Sequence, residues 1–167
     1  MSTIGNYEDA RFILEYVRVS PTWEGKPLVA ANGDAPFGWG YVGSGSFRSV
    51  WRSPEGVAYK VQHRLDGWQG NGEEYQNLQS AVGCDLPDDV RLPEADLYEI
   101  DVKGGTEHVI AMELIHGDLL DYYDGDNCQA LHDTLRRCES ILGLGDLHGE
   151  NAVVDDSGVL VIVDFGG

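Results

Sequence analysis

Four short stretches carry residues whose types and spacing suit phosphate chemistry. Gly43-Ser44-Gly45-Ser46-Phe47-Arg48-Ser49-Val50 is a glycine-containing turn between apolar segments. Glycines let backbone amides approach a polyphosphate closely, where a side chain would obstruct. Two glycines between strands also make an ordinary hairpin turn. Val57-Ala58-Tyr59-Lys60 then ends an extended segment with one of only three lysines, the others being Lys26 and Lys103. Strand alternation puts Lys60 on the side of Ala58. Its ammonium either faces a cleft and holds phosphates or projects as a solvated edge-strand lysine. Glu73 and Glu74 follow on a predicted helix. Glu74 is the better partner for the lysine because Leu78, one turn on, marks the inward face; Glu73 suits a solvated one.

The third stretch is Gly145-Asp146-Leu147-His148-Gly149-Glu150-Asn151. An aspartate and an asparagine five apart on one loop can divide a task, one orienting a hydroxyl nucleophile and the other binding a metal. The same residue types also make plain polar loops. His148 and His132 raise the idea of zinc, but no third soft ligand stands at a suitable spacing. The fourth stretch, Val161-Ile162-Val163-Asp164-Phe165-Gly166-Gly167, is an apolar strand delivering Asp164 at its end. A carboxylate there is either a hard-oxygen ligand of the kind Mg²⁺ takes or part of an ordinary Asp-x-Gly turn.

The elements that must position these residues can be placed from periodicity. Asn6 caps a helix over 7–19 with Phe12, Ile13, Tyr16 and Val17 on one face. Residues 23–37, rich in Gly, Pro and Ala, form an irregular connection. Short strands are predicted at 39–42, 49–52 and 57–62, a helix at 73–82, and a hairpin of 97–102 with 108–114 across Lys103-Gly104-Gly105. An acidic, tyrosine-bearing stretch at 118–126 leads to a helix over 127–142, with Leu131, Leu135, Cys138 and Leu142 at helical spacing. A hairpin of 152–154 with 159–163 closes the chain. Strands, helix, then a late hairpin imply an α+β fold with two lobes.

With 29 Asp+Glu against 11 Lys+Arg, the 167 residues carry a net charge of −18. That opposes direct binding to nucleic acid or to anionic membranes, which need cations to neutralise phosphate. No 18-residue apolar run and no basic, apolar leader is found in the sequence, which favours a cytoplasmic reading. Cys84, Cys128 and Cys138 are odd in number and lack a CxxC pair, as expected of reduced thiols.

Taken in order, a glycine-rich loop, a strand lysine in Ala-x-Lys, a helix glutamate, an Asp-x-x-x-x-Asn loop and Asp-Phe-Gly resemble the protein-kinase-like superfamily over roughly residues 38–167. Met112-Glu113-Leu114-Ile115 stands where that superfamily has its hinge. Within it, the chain is most similar to the minimal Ser/Thr protein kinases that bacteriophages encode, which share the Asp-x-His-x-x-Asn form of the loop. The resemblance implies an N-terminal helical extension at 1–37, an N-lobe with an antiparallel sheet at 38–116, and a strongly truncated C-lobe at 117–167. It implies ATP and Mg²⁺ as cofactors. Gly43, Ser44, Gly45 and Ser46 would cover the phosphates, and Lys60, held by Glu74, would pair with the α/β-phosphates. Adenine would lie by Val50 and Ala58, with the backbone of Glu113–Ile115 as hinge. Asn151 and Asp164 would hold the metal, while Asp146 would accept or orient the hydroxyl proton.

This chain departs from the superfamily's pattern at several points. Arg48 replaces the loop's third glycine. Leu144-Gly145 replaces the His-Arg that precedes the catalytic aspartate, which removes the cationic receptor for a phosphorylated activation segment. His148 stands where many Ser/Thr kinases place a phosphate-contacting lysine; aminoglycoside and choline kinases also use a histidine there, and a neutral imidazole offers less charge. The resemblance implies host proteins as substrates, host cytoplasm as location, and self-association as one way to complete a short C-lobe. Two other readings stay open. One is an inactive kinase-like or acidic, nucleic-acid-mimicking protein that inhibits a host factor; the other is a small-molecule phosphotransferase.

Overall fold

The computed structural model describes residues 3–45, 47–63, 70–145 and 147–165. Along the chain the elements are α1 (Tyr7–Arg18), β1 (Thr22–Trp23), β2 (Lys26–Pro27), α2 (Leu28–Asn32), β3 (Gly40–Ser44), β4 (Arg48–Arg52) and β5 (Val57–Gln62). There follow α3 (Asn71–Val82), β6 (Val90–Arg91), β7 (Ala95–Val102), β8 (Gly105–Glu113), β9 (Gly117–Leu119), α4 (Cys128–Leu142), β10 (Ala152–Asp155) and β11 (Leu160–Ile162). The fold is α+β, and the chain divides into two compact units. The first comprises Met1–Gly72 with Glu94–Leu114, the second Glu73–Pro93 with Ile115–Gly167. Residues 73–93, placed by sequence within the sheet-bearing segment, group with the second unit.

The first unit is built on an antiparallel five-stranded sheet in the order β3-β4-β5-β8-β7. One face belongs to α1. The helix starts where Asn6 Oδ1 accepts from the Asp9 N–H at 2.8 Å, satisfying one of the open first-turn donors. Its buried stripe, Ala10, Ile13, Leu14 and Val17, packs with Trp51, Tyr59, Val61, Ile100, Val109 and Ala111. The N-terminal residues are therefore part of this core rather than an appendage. Gly5 is needed where it stands. Its φ is +71°, and a Cβ there would lie 2.5 Å from the Tyr59 hydroxyl. That hydroxyl accepts from the Asn6 N–H at 3.1 Å, and burial pushes the phenol up to about 12. At the other end of α1, Arg18 pairs with the buried Glu107 of β8 and donates to the Gln62 carbonyl at 2.5 Å.

Residues 23–37 are more regular than their composition predicts. β1 and β2 pair as a two-residue hairpin, and α2 ends on Gly33 in the left-handed region. Such short pieces leave no periodicity to read.

In the second unit a four-stranded sheet runs β6-β11-β10-β9. β10 pairs antiparallel with both β11 and β9, and β11 pairs parallel with β6. The turn between β10 and β11 is held by Asp155, whose Oδ1 accepts from the N–H groups of Ser157 and Val159, each at 2.9 Å. α4 buries Leu131, Thr134, Leu135 and Cys138, and ends on Gly143 at φ 68°. The three cysteines are free, and burial pushes the Cys138 thiol up. No helix among the described residues is long and apolar enough to cross a membrane.

Candidate functional site

In the first unit the α1 face and the Lys60 face are separated by strand alternation. Gly43, Val50, Lys60, Ile110 and Leu97 are register partners in one row across all five strands. Arg52, Ala58, Met112 and Ala95 form the next row on that face. Paired residues of neighbouring strands share a face, so Val50, Ala58 and Lys60 lie together, as expected. Lys60 is only 5% exposed, an unusual position for an ammonium.

Gly43 reaches this row through a register shift between Tyr41 and Gly43. Tyr41 pairs with Trp51 on the α1 face; without the extra residue, Gly43 would follow it to that side. Neither Gly43 nor Gly45 has a positive φ. A Cβ on either would meet no atom among the described residues within 4 Å. Turn geometry and packing therefore give no reason for glycine at these two positions.

Ser44 is placed differently from the sequence expectation. It lies within β3, paired with Ser49, and its hydroxyl accepts from the Tyr41 hydroxyl at 2.8 Å on the α1 face. Its side chain is thus turned from the Lys60 face by the same shift that brings Gly43 there, and only its backbone can serve a ligand on that side. Ser46 lies outside the described residues. At the far end of the sheet Glu113 closes β8, and its N–H donates to the Glu94 carbonyl at 2.8 Å. Leu114 is the last residue of this unit, and Ile115 begins the second segment of the other.

The second unit holds the remaining candidates. Glu74 is 3% exposed whereas Glu73 is exposed, because buried positions on α3 fall at Asn71, Glu74, Leu78 and Ala81, one stripe of the helix. Glu74 Oε1 accepts from the Phe165 N–H at 3.2 Å, and Asn77 Nδ2 donates to the Phe165 carbonyl at 3.1 Å. The backbone just after Asp164 is thereby fixed to α3. The carbonyl of Asn151 accepts from the N–H groups of Val163 and Asp164, at 2.8 and 3.2 Å. Asn151 and Asp164 are thus joined through the main chain, which brings the two expected metal ligands onto neighbouring backbone.

The loop before Asn151 is ordered by its own side chains. The His148 N–H donates to Asn151 Oδ1 at 2.9 Å, and His148 Nδ1 accepts from the Glu150 N–H at 3.3 Å. An accepting Nδ1 leaves the proton of a neutral imidazole on Nε2, and His148 is exposed. Leu147 is held by its N–H, which donates to Glu139 Oε2 of α4 at 2.8 Å. Gly149 has no room for a side chain: a Cβ would lie against the Asp121 carboxylate and 2.9 Å from the Asp121 nitrogen. Asp146, the expected hydroxyl-orienting residue, lies outside the described residues.

Asn151 Oδ1 has a second lone pair beyond the His148 bond, and Asp164 is only half-buried. One amide oxygen and one carboxylate suit Mg²⁺ completed by phosphate oxygens, the donor set that ion prefers. Among the described residues no group of three His, Cys, Asp or Glu side chains is placed to hold a metal. Asn71, Asn77 and Glu139 were not picked out from sequence. Asn71 stands at a helix start where asparagine is common, but that signal speaks of capping and not of a strand.

Compared with known proteins, the chain matches no family model and no curated sequence.

Proposed function

We propose that the chain is an ATP- and Mg²⁺-dependent phosphotransferase with the two-lobed protein-kinase-like architecture. It phosphorylates Ser/Thr residues of host proteins, as the bacteriophage kinases it resembles do, in the cytoplasm of the host cell. The observation that carries this reading is the pair of glycines, Gly43 and Gly45, which neither backbone conformation nor packing requires. Gly43 stands in register with Val50 and Lys60. A ligand that needs bare backbone explains them, and a polyphosphate is that ligand beside a lysine.

In this reading the amides around Gly43 and Gly45 bind phosphate oxygens, and Lys60 pairs with the α/β-phosphates. Glu74 orients Lys60. Val50 and Ala58 give the adenine an apolar seat. Asp146 orients the attacking hydroxyl and accepts its proton, and His148 offers one hydrogen bond from Nε2. Asn151 and Asp164 hold Mg²⁺, which when bound neutralises charge on the phosphate oxygens. Phosphoryl transfer asks mainly for position and charge neutralisation, so these groups suffice for it.

The test mixes the full chain with labelled ATP, Mg²⁺ and a bacterial lysate. Labelled phosphoserine or phosphothreonine is expected with the wild type and not with Asp146→Asn. Absence of labelled protein with the wild type, or equal labelling by both, overturns the proposal.

The charge of −18 favours one other reading, an acidic protein that occupies a host nucleic-acid site without catalysis. Salt-sensitive binding to a nucleic-acid enzyme, with no response to Mg·ATP, is its distinguishing result.

A further inference from the structure

Asn71, the first residue of α3, is fully buried. Its Nδ2 donates to the Lys60 carbonyl and to the His108 carbonyl, both at 2.9 Å, and its own N–H donates to Gln62 Oε1 at 2.9 Å. Lys60 and Ile110 form the last register pair between β5 and β8. The Asn71 amide therefore bridges the two strands where their pairing ends. No other side-chain type offers two N–H donors on so short a stem with so little freedom.

We infer that Asn71 is a positioning residue for nucleotide binding: it ties the main chain of Lys60 to the neighbouring strand at His108 and so holds the strand that presents the lysine. This rests on the nucleotide reading above. It differs from a plain capping role, because the bonds run to two strand carbonyls and not to α3's own first turn.

A double-mutant cycle on the full chain tests it, with Mg·ATP affinity as the readout and the melting temperature without nucleotide recorded beside it. Asn71→Ala removes both donors; Asn71→Ser keeps one and serves if the alanine variant does not fold. If Asn71 acts through Lys60, the substitution weakens Mg·ATP binding about tenfold in the wild type. It weakens binding less than about twofold in the Lys60→Met background. The loss of melting temperature without nucleotide is expected in both backgrounds. Equal weakening in both backgrounds, or none in either, overturns the role of Asn71 while leaving the nucleotide site standing. If the wild type itself does not bind Mg·ATP, the nucleotide reading fails, and this inference falls with it.

Discussion

Replacing Lys60 by methionine separates a phosphate-binding lysine from one that merely fills space. Methionine matches the length and apolar stem, so packing in this 5% exposed position is largely kept. What is lost is a dehydrated ammonium, and a charge-assisted hydrogen bond in such a setting is worth about 1.5–3 kcal/mol. That corresponds to Mg·ATP binding weakened roughly 10- to 150-fold. Thermal shift reads the difference directly. At a ligand concentration of about 100 Kd the wild type gains about 2.7 kcal/mol, which for a chain of this size raises Tm by about 5–11 °C. A hundredfold weaker variant at the same concentration gains only about 0.4 kcal/mol, a shift of roughly 1–2 °C. The melting temperature without nucleotide controls for folding. A Lys60→Met protein that keeps the full Mg·ATP shift would refute the assignment of Lys60 to the phosphates.

Three further outcomes follow from the packing. Burial raises the Tyr59 phenol from 10.0 to about 12, so the neutral form stabilises the fold. That stabilisation is complete below pH 10 and lost as pH rises through 12; it amounts to roughly 2–3 kcal/mol. Urea unfolding from pH 8 to 12 is expected to show a smaller alkaline loss in Tyr59→Phe than in wild type, and equal losses would contradict the argument. Arg18→Ala leaves the Glu107 carboxylate, 6% exposed, without its guanidinium and is expected to cost about 3–5 kcal/mol, with much of it recovered by adding Glu107→Leu. Urea midpoints of the two proteins decide it. Gly149→Ala must push its new methyl into Asp121, with the Asp121 Cγ at 2.6 Å and nitrogen at 2.9 Å, so a loss of about 1–3 kcal/mol is expected in thermal melts. An alanine variant as stable as wild type would mean that the loop and Asp121 separate freely.

Elements with their own local signal were legible in the sequence. Asn6 before apolar residues predicted α1, and the structure has that cap; of the predicted face Ile13 and Val17 are buried, joined by Ala10 and Leu14, while Phe12 is exposed. The strand predicted over 57–62 has the bounds of β5. Glu74 was separated from Glu73 by the position of Leu78, and the burial pattern of α3 agrees. The predicted stripe of α4 needed two changes: Leu142 is only half-buried, and Thr134 is buried and satisfies its hydroxyl by bonding back to the Ala130 carbonyl. What stayed hidden depends on distant partners. β6 exists because Val90 and Arg91 pair with β11, some seventy positions on, and two residues have no period. The register shift in β3 depends on pairing with β4, and it alone turns Ser44 away from the Lys60 face. Asn71 bonds to carbonyls, which carry no sequence signature.

The sheet itself explains why a lysine can stand in so buried a place. Its α1 face takes nearly all the large apolar groups of the unit, Trp51 and Tyr59 among them, with four residues of α1. That face supplies the burial that holds the strands together. The other face carries Gly43, Val50, Lys60, Ile110 and Leu97 in one row, and Arg52, Ala58, Met112 and Ala95 in the next. A register shift of one residue in β5 would exchange the two sets, moving Tyr59 to the Lys60 side and the ammonium into the core against Ile13 and Val17. The cost of an unpaired charge there forbids the slip. Lys60 therefore helps to specify the register that displays it.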